Sequence, residues 1–182
     1  MYVIAKQLGK KEDAERFNTQ ADNIRQTFNR TFYNPEKKTY GPGSQCSLAL
    51  PLYLKIVAKE DYQAVLQRLI DDIKAHGTRL TTGDVGNRYL FSVLIENDQR
   101  DLLYAMLNHD DVPGYGYQIK KGHTTLTEQW NPDMGASMNH FMMAHIENFL
   151  IPDLLGIQRT GDLIEIQPHP VGDIIWCKGS TM

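Results

Sequence analysis

Glu128, Trp130 and His140 lie close together along the chain, in Thr124-Thr125-Leu126-Thr127-Glu128-Gln129-Trp130 and Ser137-Met138-Asn139-His140. Their types suit carbohydrate chemistry. A carboxylate activates water or stabilises a cation, an indole offers an apolar face to a sugar ring, and an imidazole hydrogen-bonds a hydroxyl. Just upstream, Pro113-Gly114-Tyr115-Gly116-Tyr117 adds two aromatic rings, Tyr115 and Tyr117, that could stack on the C–H faces of a pyranose. Each residue also has a plain structural reading: Glu128 as a surface carboxylate, Trp130 as core filler, His140 as a histidine satisfied at a helix interface. Taken together they read as a sugar site with one carboxylate, which is half of a glycosidase.

Other chemistries find less support. His109-Asp110-Asp111 has metal-ligand types but no repeat spacing, and it reads as a solvated helix end. Neither metal nor cofactor is expected. No nucleophile elbow, P-loop or Rossmann glycine pattern occurs. Cys46 and Cys177 lie far apart without CxxC spacing and read as buried small hydrophobes.

The elements that must position these residues are mostly helices. Ala14, Phe17, Ala21, Ile24 and Phe28 recur at three and four and write one apolar stripe, which should pack by that face. Asn34-Pro35 and Gly41-Pro42-Gly43 break the chain. Ser44 is a plausible N-cap for an apolar helix through Leu48, Leu52, Tyr53 and Ile56, with Pro51 kinking it or marking its start. Tyr62, Val65, Leu66, Leu69, Ile70 and Ile73 form the clearest amphipathic face, closed by His76-Gly77 with glycine at C′. Further helices are expected over Val85–Ile95, Gln99–Asn108 and Ala136–Leu150, the last troubled by Pro152.

Between Asp110 and Gly135 the helical period vanishes. Tyr115, Tyr117 and Ile119 alternate with small or polar residues before a Lys120-Lys121-Gly122 turn, which predicts a β-hairpin inserted between two helices. Past Gly156, Leu163–Ile166 and Asp173–Cys177 read as two strands separated by Pro168-His169-Pro170-Val171-Gly172. Two strands alone are marginal. The expectation is a chain cut from something longer, or strands that pair elsewhere on the domain.

Composition bounds the partners. The 182 residues fit one domain, or most of one plus a piece of another; 41% are apolar and 23% charged, which is globular. The net charge of −3, with no basic stripe, argues against nucleic acid. No run approaches the roughly 18 to 20 apolar residues of a membrane span, so a soluble chain with no membrane partner is expected. Met1-Tyr2-Val3-Ile4-Ala5-Lys6 lacks the pattern of a signal peptide, which leaves the compartment open.

The order of motifs carries a resemblance. Gly43-Ser44-Gln45, Leu80-Thr81-Thr82-Gly83-Asp84-Val85-Gly86 through Tyr89-Leu90, Gly114-Tyr115-Gly116-Tyr117, and the Glu128 and His140 motifs together resemble the second half of the catalytic domain of bacterial α-L-rhamnosidases, glycoside hydrolase family 78. The resemblance covers nearly the whole chain. It implies a mainly α fold: residues 1–157 as the second half of an (α/α)6 barrel, and 158–182 as the start of a truncated C-terminal β-sandwich domain. It also implies inverting hydrolysis by a general acid and a general base. Glu128 falls on the base, His140 on a histidine of the rhamnose pocket, and Trp130 on the motif's aromatic.

Three departures stand out. Thr127 replaces a frequent aromatic, the link from Trp130 to Ser137 is short, and nothing upstream of Glu128 matches the acidic cluster that carries the general acid. Asp84 is the nearest alternative acid, but a helix N-terminus lowers a carboxylate's pKa, and capping is the preferred reading.

The expected function is a fragment of an enzyme that releases terminal α-L-rhamnose from glycosides or polysaccharides, with low or no activity alone. Its partners would be a rhamnose-containing carbohydrate and the missing N-terminal half of the domain, with homo-oligomers through exposed helix faces as another way to cover them. The alternatives are another α/α-barrel glycosidase, trehalase-like or glucoamylase-like, and a non-catalytic sugar-binding or structural helical fragment.

Overall fold

The computed structural model describes residues 1–180, and it is mainly helical. Its core forms where three apolar helix faces meet: α3 (Gln45–Tyr53), α4 (Tyr62–Ala75) and α5 (Asp84–Glu96). The Ser44 hydroxyl caps α3 by accepting the Ser47 amide at 3.4 Å, as its type predicts. Pro51 sits inside α3, which runs only two residues further. On α4 the expected face is buried at Val65, Leu66, Leu69, Ile70 and Ile73, and Gly77 follows at φ +67°. The contact between α3 and α5 is close because Gly86 has no side chain: a Cβ there would meet Cys46 Sγ and Thr82 Cβ at 3.0 Å. Cys46 is therefore half-buried at a helix crossing, whereas Cys177 is exposed, against the buried reading of both.

Helix α6 (Arg100–Leu107) follows where its period places it, and buries Leu103, Met106 and Leu107. Ahead of the core lie α1 (Tyr2–Gln7) and α2 (Lys11–Phe32), joined through β1 (Tyr33–Asn34) to β2 (Thr39–Tyr40) in a tight antiparallel pair. The stripe of α2 is present but uncovered. Ala14 is buried, Phe17 and Phe28 are half-buried, and Ile24 is 58% exposed.

Three predicted elements differ. The expected hairpin between Asp110 and Gly135 is instead a short helix, α7 (Tyr115–Lys120), followed by irregular chain. Gly116 lets it form: a Cβ there would stand 2.4 Å from the carbonyl oxygen of His109, so glycine serves close approach rather than a strand turn. The last helix starts later than Ala136. The amides of Ser137 and His140 are bonded to Glu128 Oε2 and to the Leu126 carbonyl, and helical turns begin only after His140, as a 3-10 segment (Phe141–Ile146), α8 (Glu147–Phe149) and a wide turn (Leu150–Leu154) that contains Pro152.

The third difference concerns the C-terminal strands. β4 (Leu163–Ile166) is where its pattern puts it, but its antiparallel partner is β3 (Ile157–Thr160), not Asp173–Cys177. That later segment has no strand pairing. It is tied to α6 by Tyr104, whose hydroxyl donates to Asp173 at 2.7 Å, and by the Gly172 amide donating to Asp101 at 3.0 Å. No described helix is long and apolar enough to cross a membrane.

Candidate active site

Two backbone rungs hold the segment that carries Glu128. His140 donates its amide to the Leu126 carbonyl at 2.8 Å, and Glu128 donates its own to the Ser137 carbonyl, also at 2.8 Å. The second rung closes in an unusual way. Ser137 returns its amide to the Glu128 side chain, Oε2, at 3.1 Å, so the carboxylate occupies the place of a backbone acceptor. Charge-assisted bonds of this kind fix a carboxylate's direction while leaving its other oxygen free. Thr125 adds a bond from its hydroxyl to the Met138 carbonyl. Thr127 is buried and Glu128 exposed, so the chain turns the carboxylate outward as it anchors the residue before it.

The anchoring layer is polar and buried. Gln118 of α7 donates to the Gln129 carbonyl at 3.2 Å and accepts the Thr127 amide at 3.4 Å, while the Thr127 hydroxyl donates to the same Gln129 carbonyl at 2.7 Å. Below it, the Thr82 hydroxyl donates to Asn87 Oδ1 at 2.8 Å, Asn87 Nδ2 donates to the Tyr115 hydroxyl at 3.3 Å, and that hydroxyl donates to the Met143 carbonyl. Trp130 joins this layer through its indole N–H, which donates to the Thr82 carbonyl at 2.6 Å. The bonds of Gln118, Asn87, Tyr115 and Trp130 cross between elements and fix α5, α7 and the Glu128 segment against one another.

The aromatic residues separate. Tyr115 is buried, its ring edge-on to Trp130 with centroids 4.9 Å apart, and burial pushes its phenol well above the ordinary value. Trp130 is half-buried in front of it. Tyr117 is half-buried on α7 with the Lys121 ammonium 5.4 Å from its ring centroid.

His140 and Asp84 come together, although they lie far apart in sequence. His140 Nε2 stands 3.5 Å from Asp84 Oδ2. Asp84 is the first residue of α5 after the N-cap Gly83, and its Oδ1 accepts the Val85 amide at 2.8 Å. His145 lies nearby. Its pKa is lowered by burial and by the Arg88 charge, against an opposing pull from Asp84. His109 bonds the Thr78 hydroxyl at 2.9 Å, and among the described residues no group of three or more His, Cys, Asp or Glu side chains could hold a metal ion.

Comparison with known proteins decides the family. Residues 1–154 match the family model described as the bacterial alpha-L-rhamnosidase 6 hairpin glycosidase domain. The chain belongs to that family. An alpha-L-rhamnosidase of Formosa agariphila is 28% identical over 178 residues, 91% of this chain and 19% of that protein; one of Streptomyces avermitilis is 30% identical over 94% of this chain and 18% of its own length. Among solved structures, alpha-L-rhamnosidase from Dictyoglumus thermophilum superposes with a TM-score of 0.85 at 36% identity, covering 94% of this chain and 20% of that one. The Streptomyces avermitilis enzyme complexed with L-rhamnose gives 0.84 at 28% identity, covering 94% and 18%. The chain therefore spans about a fifth of the length of the relatives it matches.

Within this rhamnosidase-family domain, sequence reasoning missed Asn87, Gln118 and the buried Gln45, which bridges to Arg79 and Thr81. A signal was present. Asn87 keeps phase with Leu90, Phe91 and Leu94, and Gln45 with Leu48, Ala49 and Leu52, so each is a polar residue on a buried helical stripe.

Proposed function

We propose that this chain is the C-terminal part of the catalytic domain of an inverting α-L-rhamnosidase, and that Glu128 is its general base. The observation that carries the reading is the Glu128 carboxylate, turned outward and aimed by the Ser137 amide at 3.1 Å, in a chain of the rhamnosidase family. A base must present one oxygen to water and hold still. Glu128 has one oxygen bonded and the other free for that task. Trp130, braced from behind by Tyr115, offers a face to the sugar, and His140 offers a nitrogen to one of its hydroxyls; Tyr117 stands on α7 as an outer contact.

Inversion needs a protonated acid on the opposite face of the sugar, with the two carboxyl groups roughly 6.5 to 9.5 Å apart to admit the attacking water. We assign that acid to the N-terminal half of the barrel. The same half would cover the apolar stripe of α2, whose Ile24 is 58% exposed. Residues 1–157 then form barrel and 158–182 begin a strand-rich domain, the β3–β4 hairpin starting at the boundary residue Ile157. By itself the chain would have little activity, because an absent general acid removes about 10²- to 10⁴-fold.

In the complete protein, Glu128→Gln should abolish release of an aryl α-L-rhamnoside while preserving the fold, since glutamine still accepts the Ser137 amide. Near-normal turnover would refute the assignment, and a product of retained anomeric configuration would refute inversion.

A further inference from the structure

We propose that Asp84 is a positioning residue for His140, holding the imidazole in one tautomer so that Nδ1 faces the sugar; what His140 touches rests on the function proposed above, whereas the pair itself does not. The backbone of His140 is pinned to the Leu126 carbonyl at 2.8 Å, on the rung next to Glu128. Its ring reaches the start of α5. Nε2 is enclosed, makes no hydrogen bond among the described residues, and has Asp84 Oδ2 3.5 Å away.

An enclosed ring nitrogen facing a carboxylate carries its proton there, because the alternative sets two acceptors against each other in a poorly solvated space. Nδ1 is then an acceptor toward the exposed side. Asp84 is itself aimed: the Val85 amide at 2.8 Å takes Oδ1 and leaves Oδ2 for the imidazole. Two further titratable groups lie close by, Arg88 of α5 and His145 of the 3-10 segment; the Arg88 charge lowers the His145 pKa and the Asp84 charge opposes it. The 3.5 Å separation of Nε2 and Oδ2 is within the range over which hydrogen bonds of a binding site tighten on complex formation. The acidic side chain at the start of α5 thus acts on the sugar through a histidine, with neither of its oxygens left to serve as an acid.

The test compares Asp84→Ala, Asp84→Asn, His140→Ala and the Asp84→Ala/His140→Ala double variant in the complete protein, with an aryl α-L-rhamnoside as substrate. Asp84→Ala should raise KM about tenfold with kcat changed less than about threefold, as for a lost charge-assisted hydrogen bond. Asp84→Asn should recover most of the loss, because its amide oxygen still accepts from Nε2. The double variant should match His140→Ala alone. Additive effects, or a loss confined to kcat, would overturn the proposal. Should the unsubstituted protein hydrolyse no rhamnoside, the proposed function falls, and the pair is judged by thermal unfolding of the same four proteins. A non-additive Tm shift upholds it, and an additive one overturns it.

Discussion

Asn87 is the joint of the buried layer, and its removal has a calculable cost. Asn87→Ala deletes two hydrogen bonds, one accepted from the Thr82 hydroxyl at 2.8 Å and one donated to the Tyr115 hydroxyl at 3.3 Å. Thr82 is only 2% exposed, so its hydroxyl is left without an acceptor, at about 1–3 kcal/mol. Tyr115 suffers less, because it keeps its bond to the Met143 carbonyl; losing the accepted bond adds about 0.5–1 kcal/mol. The total of about 1.5–4 kcal/mol corresponds to a fall in Tm of roughly 3–16 °C for a domain of this size. Differential scanning calorimetry of the wild-type and variant proteins reads it. The same substitution made on a Thr82→Val background should cost about 1–3 kcal/mol less, since no hydroxyl is then orphaned. An Asn87→Ala shift below about 1 °C, or equal losses in both backgrounds, would refute the reasoning.

Two further outcomes follow from charges outside this layer. The His145 pKa is lowered in the fold, so the unfolded chain takes up the proton more readily; stability is complete above the unfolded value of about 6.5 and falls as pH drops below it. His145→Gln should flatten the dependence of Tm on pH between about 5 and 7, and an unchanged slope would contradict the assignment. Arg100 donates from Nε to both carboxylate oxygens of Asp153 at 3.0 Å, and the Asp153 side chain is 5% exposed. Arg100→Met should therefore cost about 2–3 kcal/mol, below the full penalty of a broken buried pair because Arg100 is partly solvated and His169 remains near. Adding Asp153→Asn should recover part of that loss in the same calorimetric measurement.

Helices are legible in the sequence where apolar residues recur in phase over several turns, whether the face is buried, as on α4, or largely uncovered, as on α2. α4 writes six apolar residues in phase and was legible at once, and α5 and α6 were legible within a residue or two of their ends. α7 was not. Six residues are too few to show a period of 3.6, and Tyr115-Gly116-Tyr117 alternates by coincidence, its glycine required by the His109 carbonyl rather than by a turn. Strand β3 was hidden because Ile157-Gln158-Arg159-Thr160 has one apolar residue, whereas Asp173–Cys177 has the composition of a strand but gives up pairing for bonds to α6. In the candidate site, Glu128, Trp130 and His140 stood out by type. The Asp84–His140 contact could not be read, since it joins positions 56 residues apart.

The two rungs at Leu126–His140 and Glu128–Ser137 isolate whatever lies between them. Residues 131–136 form a small turn in which Asn131 accepts the Asp133 amide and Gly135 takes φ +75°, and among the bonds that aim the carboxylate none comes from within it. The turn is held from outside by the Lys121 ammonium, which donates to Asp133 at 2.8 Å, and its Pro132 is buried. If Glu128 is the base proposed above, a change in the length of this turn alters the wall beside the carboxylate while the Ser137 amide keeps its bearing.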